Sequence, residues 1–410
     1  MGMSLGDLYE PLHQHHADPY PFYERARREE PLFYSPAIGA WVVTRMADVR
    51  RILRDSRTFS SANTLRPFTP FPPAVVAELS KGYPNLASYI TMDGDEHRRL
   101  RGPASAALTP ERVDAIEPYI TERATRLIDG FAKDGGVEFM AGYANRLPVD
   151  VIARLIGFAE EDSAAFGDDS RTAASMGMGH RFSSEEEQIE CARTWVRFQQ
   201  LIERYVTARR ADPRDDLISD YIAAFAPGAE PLTFEGMAEL IGLVLGVAVP
   251  GHITTSALLG NGLLRLLSQP EQWRLLCERP GLVANAAEEI ARYDTPTHIF
   301  LRVSTADATV GGQDFPAGTE FALCLASANR DDDAFERGEI FDITRVPRAN
   351  VVFGQGPHYC PGAGLARREV EISLRLLTER LPGLRLVAEQ RIEYRGTLDH
   401  RGPLALWLEW

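Results

Sequence analysis

The stretch Val352-Phe-Gly-Gln-Gly-Pro-His-Tyr-Cys-Pro-Gly362 constrains this 410-residue chain more than any other. It sets one cysteine, Cys360, in a run rich in Gly and Pro, directly ahead of a helical pattern from Ala363 to Leu381. Gly354 and Gly356 permit the positive φ angles with which a loop turns tightly and approaches a flat ligand. Cys360 is expected at the start of the helix, where the dipole and free N–H groups favour a thiolate over a thiol. An anionic sulfur in a glycine-lined cradle is suited to ligate a metal from one side. The plain alternative is a strand–turn–helix junction with a buried reduced cysteine.

Taken together, Phe353, Gly354, Gly356, His358, Cys360 and Gly362 resemble the haem-ligand loop of the cytochrome P-450 family. The resemblance implies haem b ligated by the Cys360 thiolate, an electron-rich axial sulfur that promotes O–O cleavage. Phe353, His358 and Gly362 then belong to the cofactor site. By the same analogy the fold is mainly α with a small β region, a triangular helical prism around a buried haem. It is expected as one domain over 1–410, with 1–17 irregular.

Composition narrows the setting. With 44% hydrophobic and 25% charged residues the chain is globular, and a net charge of −14 gives a nucleic-acid partner no support. Cys191, Cys277, Cys324 and Cys360 are scattered and read as reduced thiols in a cytoplasm rather than a disulfide framework. The first sixteen residues show neither a basic start nor an apolar core of signal length. The apolar run Leu240 to Leu267 carries His252, Thr254, Thr255, Asn261 and Arg265. It reads as a buried helix, not a bilayer span, and the chain resembles the soluble bacterial type.

Taken in order, Asp18 to Tyr23 open a helix to about Glu30, Gly39 to Arg45 alternate as a strand, and Ala47 to Asp55 return to helical spacing. Residues 60–90 break into prolines and aromatics and read as a long irregular loop. The resemblance places this segment over the substrate side of the haem, with Phe68 and Phe71 as pocket lining. His97 and Arg101 lie four apart on one helix face and match the family's propionate contacts, with Arg302 as a third. From Pro110 to Phe225 the pattern is helix after helix, broken by a Gly/Met-rich run at 175–183, where the family places mobile lid helices. Glu289, Arg292 and Arg345 match the family's structural ion network, and His298 and Ile299 match a strand bordering the pocket.

Two departures stand out. The oxygen-handling turn, usually Ala/Gly-Gly-x-acid-Thr in the family, here reads Pro250-Gly-His-Ile-Thr-Thr255, so Ile253 replaces the acid while Thr254 remains. Thr254, Thr255 and His252 are the candidate catalytic residues, with Val249 and Ile253 toward the pocket. Pro250 removes one helical N–H, and Gly246 one turn earlier eases the clash with its carbonyl. The second departure is Pro361, which deletes an amide N–H beside the sulfur.

The resemblance implies a monooxygenase that takes electrons from a ferredoxin-type partner. Its substrate would be a sizeable apolar or natural-product-like small molecule, free or carrier-bound. The absent acid leaves open peroxide-driven or radical-coupling chemistry. A haem sensor or an auxiliary homologue are the non-catalytic alternatives.

Overall fold

A computed structural model describes residues 4–12, 15–67, 70–84, 88–176, 182, 184–228, 230–394 and 397–410. Its axis is the helix Phe234–Ser268, longer and more apolar than an amphipathic surface helix, and therefore buried on nearly every face. Thr233 starts it by accepting a hydrogen bond from the Gly236 amide at 3.1 Å. Among the described residues it is the one helix long and apolar enough to cross a membrane, yet 67% of its most apolar window is buried inside the protein.

The two halves of this helix serve different cores. Leu240 to Ala248 pack with Ile156, Phe166, Phe198 and Tyr221. Leu258 to Leu267 pack with Ile128, Phe139, Tyr143 and Leu374. Between the two clusters lie the turns at 249–256, and there the wall opens onto a cavity.

A five-stranded sheet flanks the cavity, in the order Leu32–Ser35, Ala40–Val43, Glu320–Cys324, Ile299–Ser304 and Phe59–Ser60. Only the Ala40–Val43 and Glu320–Cys324 pair is parallel. The helices Tyr20–Glu29, Met46–Arg54 and Ala363–Arg380 fall within a few residues of the ranges expected from periodicity, and Glu289 and Arg292 lie on the helix Val283–Tyr293. At Asp216 the side chain accepts from the Ser219 amide at 2.9 Å and starts the helix Leu217–Phe225.

The structure differs from the sequence reading at three places. Residues 60–90 hold a helix, Pro73–Leu79, opened by the proline pair that pattern reading took as loop. A short helix, Leu5–Leu8, forms in the segment expected to be irregular because Ser4 and Asp7 make a capping box. The strand Gly136–Glu138 interrupts the helical stretch and pairs with Trp407–Glu409, a partner too distant in sequence to be read.

Candidate active site

The cysteine loop is built by its glycines. Gly354 and Gly356 take φ of 68° and 70°. A side chain at 356 would also meet the Leu53 carbonyl oxygen at 2.6 Å, so the position is closed to any other residue. The Cys360 amide donates to the Phe353 carbonyl at 2.8 Å and closes the loop. The helix begins at Ala363 with Gly362 as its cap, so Cys360 lies three residues ahead of it rather than in its first turn. Its sulfur, partly accessible, faces the cavity. Burial raises the thiol above its ordinary value, while the Gly362 amide, Arg101 and Arg367 pull the other way. Desolvation thus opposes the helix-terminal stabilisation of the thiolate expected from sequence. On the far side of the loop the Arg367 guanidinium lies 4.4 Å from the Phe353 ring centroid.

Cationic and imidazole groups gather beside the sulfur. Arg101, Arg302 and His358 line the cavity, and the His97 ring packs 4.3 Å from that of His358. The His358 Nε2 lies 3.1 Å from Asp93 Oδ1 and 3.2 Å from Ser61 Oγ. His97 is buried and its Nε2 has no hydrogen-bond partner. Burial, with His358 and Arg101 nearby, holds its pKa down to about 4. Arg302, also buried, donates to Thr64 Oγ1 at 3.1 Å and to the Leu301 carbonyl at 2.7 Å, not to a carboxylate. Burial pulls it down to about 10 against the opposing charge of Asp93. A buried cation on the wall without a carboxylate partner calls for an anion, and the buried His97 imidazole behind His358 still lacks a hydrogen-bond partner.

The opposite wall is the central helix. Val249, Pro250, Gly251, Thr254, Thr255 and Leu258 line the cavity, and Thr254 Oγ1 donates to the Pro250 carbonyl at 3.0 Å. Helical spacing turns the intervening residues away. Ile253 is absent from the wall, and His252 points outward to hydrogen-bond Ser170 on the helix Ser163–Ala174. From the sheet side, Thr297 and Ile299 to Arg302 face the cavity, whereas His298, just ahead of the strand, is turned away from it. Its ring packs 6.0 and 6.3 Å from the rings of Tyr20 and Tyr23. Phe71 packs instead with Val75, Met176, Cys191 and Ala192, because the helix that follows it docks on Glu185–Ala211. Phe68, and most of the 175–183 break, lie outside the described residues. Ile253, His252, His298 and Phe71 are thus not cavity residues.

Comparison with known proteins fits this arrangement. The cytochrome P450 family model matches residues 281–381. A vitamin D(3) 25-hydroxylase from Pseudonocardia autotrophica is 34% identical over 407 residues, covering 94% of this chain and 92% of the relative. The chain belongs to the cytochrome P450 family. A structure of the cytochrome P450 CREJ in complex with (4-ethylphenyl) dihydrogen phosphate superposes with a TM-score of 0.90 at 32% identity, covering 99% of this chain and 100% of that one. P450BioI, solved in complex with an acyl carrier protein ligated to hexadec-9Z-enoic acid, is 30% identical with a TM-score of 0.84, covering 96% and 98%. This P450 is therefore a monooxygenase of mainly α fold, and its family carries haem iron. Its residues fit that group: the Cys360 thiol faces the cavity, buried Arg302 lines it with no carboxylate partner, and His97, packed behind the lining His358, keeps an unpartnered Nε2.

Sequence reasoning missed several members of the site. Tyr89 and Trp195 line the cavity but belong to no motif. Glu369 also borders it, and burial pushes its carboxyl above the ordinary range. Only their positions in the fold reveal them.

Proposed function

We propose that this cytochrome P450 holds haem b through the Cys360 thiolate, with His97, Arg101, Arg302 and His358 on the propionates and Phe353 and Gly362 beside the sulfur. When bound, haem supplies the oxidising chemistry, the splitting of O₂ with electrons delivered from outside. We assign those electrons to a ferredoxin-type partner, and the substrate to a sizeable apolar or natural-product-like molecule that becomes hydroxylated or otherwise oxidised. The wall of Val249, Leu258, Ile299 and Phe300 supports an apolar substrate. The relative hydroxylating vitamin D(3) and the carrier-bound fatty acid of P450BioI support a sizeable one, free or carrier-bound. Four unpaired cysteines and bacterial relatives support a cytoplasmic setting.

The protein's share is orientation and proton handling. Thr254 spends its hydroxyl proton on the Pro250 carbonyl, which leaves its oxygen as an acceptor toward the cavity. Thr255 adds a second hydroxyl to that wall. In this turn no titratable side chain reaches the cavity, because His252 faces Ser170 and Ile253 carries no proton. A polar group of the substrate, or water held beside it, completes the relay in this reading. The same observation favours, as the second reading, chemistry driven by peroxide or by radical coupling.

The observation that carries the assignment is Cys360 Sγ facing a cavity whose wall holds Arg101 and the buried Arg302, whose hydrogen bonds go to neutral groups and not to a carboxylate. Reduced, CO-bound protein is expected to show the strongly red-shifted Soret band of thiolate ligation. Cys360→His should move that band to where histidine-ligated haem proteins absorb. An unchanged spectrum would remove Cys360 as ligand.

A further inference from the structure

Pro250 lies inside the central helix, and the carbonyl four residues earlier, on Gly246, has lost its helical donor. Both residues line the cavity. The phenol of Tyr89, from the turn before the helix Gly94–Ala106, donates to that same Gly246 carbonyl at 2.6 Å. Tyr89 is 5% exposed. A side chain at 246 would approach the Tyr89 ring to 3.3 Å, so glycine gives the ring its place. We propose that Tyr89 is a positioning residue whose hydroxyl replaces the hydrogen bond deleted by Pro250, and so fixes the turn that orients Thr254.

The links are consecutive. Tyr89 holds Gly246, the Gly246–Pro250 turn sets where the Pro250 carbonyl points, and that carbonyl accepts the Thr254 hydroxyl at 3.0 Å. The turn at Ser88–Thr91 is itself closed by the Thr91 amide on the Ser88 carbonyl and leads into the helix bearing His97 and Arg101. One phenol thus ties the propionate-side helix to the oxygen-side helix across the cavity. Burial pushes the Tyr89 phenol well above its ordinary range, so it stays a donor at working pH.

The proposal deepens the monooxygenase reading, and a rescue cycle on the holoenzyme separates the two. Wild type, Tyr89→Phe, Pro250→Ala and the double variant are compared by hydrogen exchange of the 247–257 amides. The probe 4-phenylimidazole, read at the Soret band, reports affinity at the distal face. Peroxide released per reducing equivalent, with a surrogate ferredoxin, reports coupling. Losing one hydrogen bond should speed exchange about threefold to tenfold in Tyr89→Phe and raise the peroxide share. In the Pro250→Ala background, where a backbone amide at that position donates to Gly246 again, the same change should alter exchange and probe affinity less than about twofold. Equal effects in both backgrounds, or none in the Pro250 protein, would overturn the proposal. Exchange and probe binding need no turnover, so they test the tether even where wild type oxidises nothing and the monooxygenase reading fails. Tyr89→Leu serves as the second variant: it too must be rescued by Pro250→Ala in exchange.

Discussion

The two halves of the central helix solve opposite problems. Near its C-terminal end the helix is pinned by charge. Arg265 donates to Asp294 Oδ2 at 2.6 Å, and Asn261 donates to the Asp294 and Arg401 carbonyls at 3.1 and 3.0 Å. Asp294, fully buried, also receives Tyr20 and Arg401 on Oδ1 at 2.6 and 3.0 Å. Where it lines the cavity the helix has lost a backbone bond at Pro250 and relies on single hydroxyls from Tyr89 and Thr254. The densely bonded half fixes the frame; the sparsely bonded half faces the reaction. A second densely bonded cluster makes the same point: Glu289 receives Arg292 at 2.7 and 2.8 Å and Arg345 at 3.2 Å, away from the cavity.

The strongest way to break this contrast is to remove the buried carboxylate. Asp294→Asn strands Arg265 and Arg401, and breaking a buried pair costs roughly 3–5 kcal/mol. Denaturant unfolding should register that loss, and a change under about 1 kcal/mol would show that the pairs only offset their own desolvation. The pH dependence carries the sign. Burial pushes the Asp294 carboxyl up, but Arg265 and Arg401 outweigh it and hold it below the ordinary range. Its contribution is therefore complete above the unfolded carboxylate value of about 4 and is lost as pH falls below that. Asp294→Asn should flatten that acid limb.

Thr254→Ala is the matching cut in the other half, and its effect should be chemical. The residue makes one side-chain bond, back to Pro250, so stability should move by no more than about 0.5 kcal/mol. Positioned proton-handling groups contribute about 10²–10⁴ in rate, and a hydroxyl that only orients a proton should fall below that, at roughly tenfold more peroxide per reducing equivalent. His252→Ala should leave this coupling intact, because its ring faces Ser170. Coupling that survives Thr254→Ala and fails in His252→Ala would reassign the proton to the histidine.

The same contrast explains what could be read from the chain. The cysteine loop, the Glu289 network and the positions of Arg101 and Arg302 were legible through the family resemblance; by spacing alone Arg101 reads as part of a solvated basic turn and Glu289 with Arg292 as a common surface ion pair. The cavity wall was legible only in part. His298 and Ile253 sit beside true wall residues, and one step along the chain redirects a side chain. Phe71 directly precedes a helix whose proline start resembled loop. Tyr89 carries no signal at all: its role exists only because Pro250, far along the chain, leaves a carbonyl open.

The smallest effect probes the sulfur from its other side. The Gly362 amide favours charge on the Cys360 sulfur, but residue 361 offers no N–H because it is proline. Hydrogen bonds to a ligating sulfur withdraw charge and raise the potential of the metal it holds. Pro361→Leu restores an N–H one residue from the sulfur. A net hydrogen bond of about 1 kcal/mol corresponds to a shift on the order of 50 mV for one electron. Spectroelectrochemical titration of the holoenzyme should therefore place Pro361→Leu higher by that amount, while Thr254→Ala, on the opposite wall, stays at the wild-type value. The sign matters more than the size. A potential that stays put or falls would mean that the amide at 361 points away from the sulfur, and that Gly362 alone, with Arg101 and Arg367 behind it, sets how much charge the thiolate keeps.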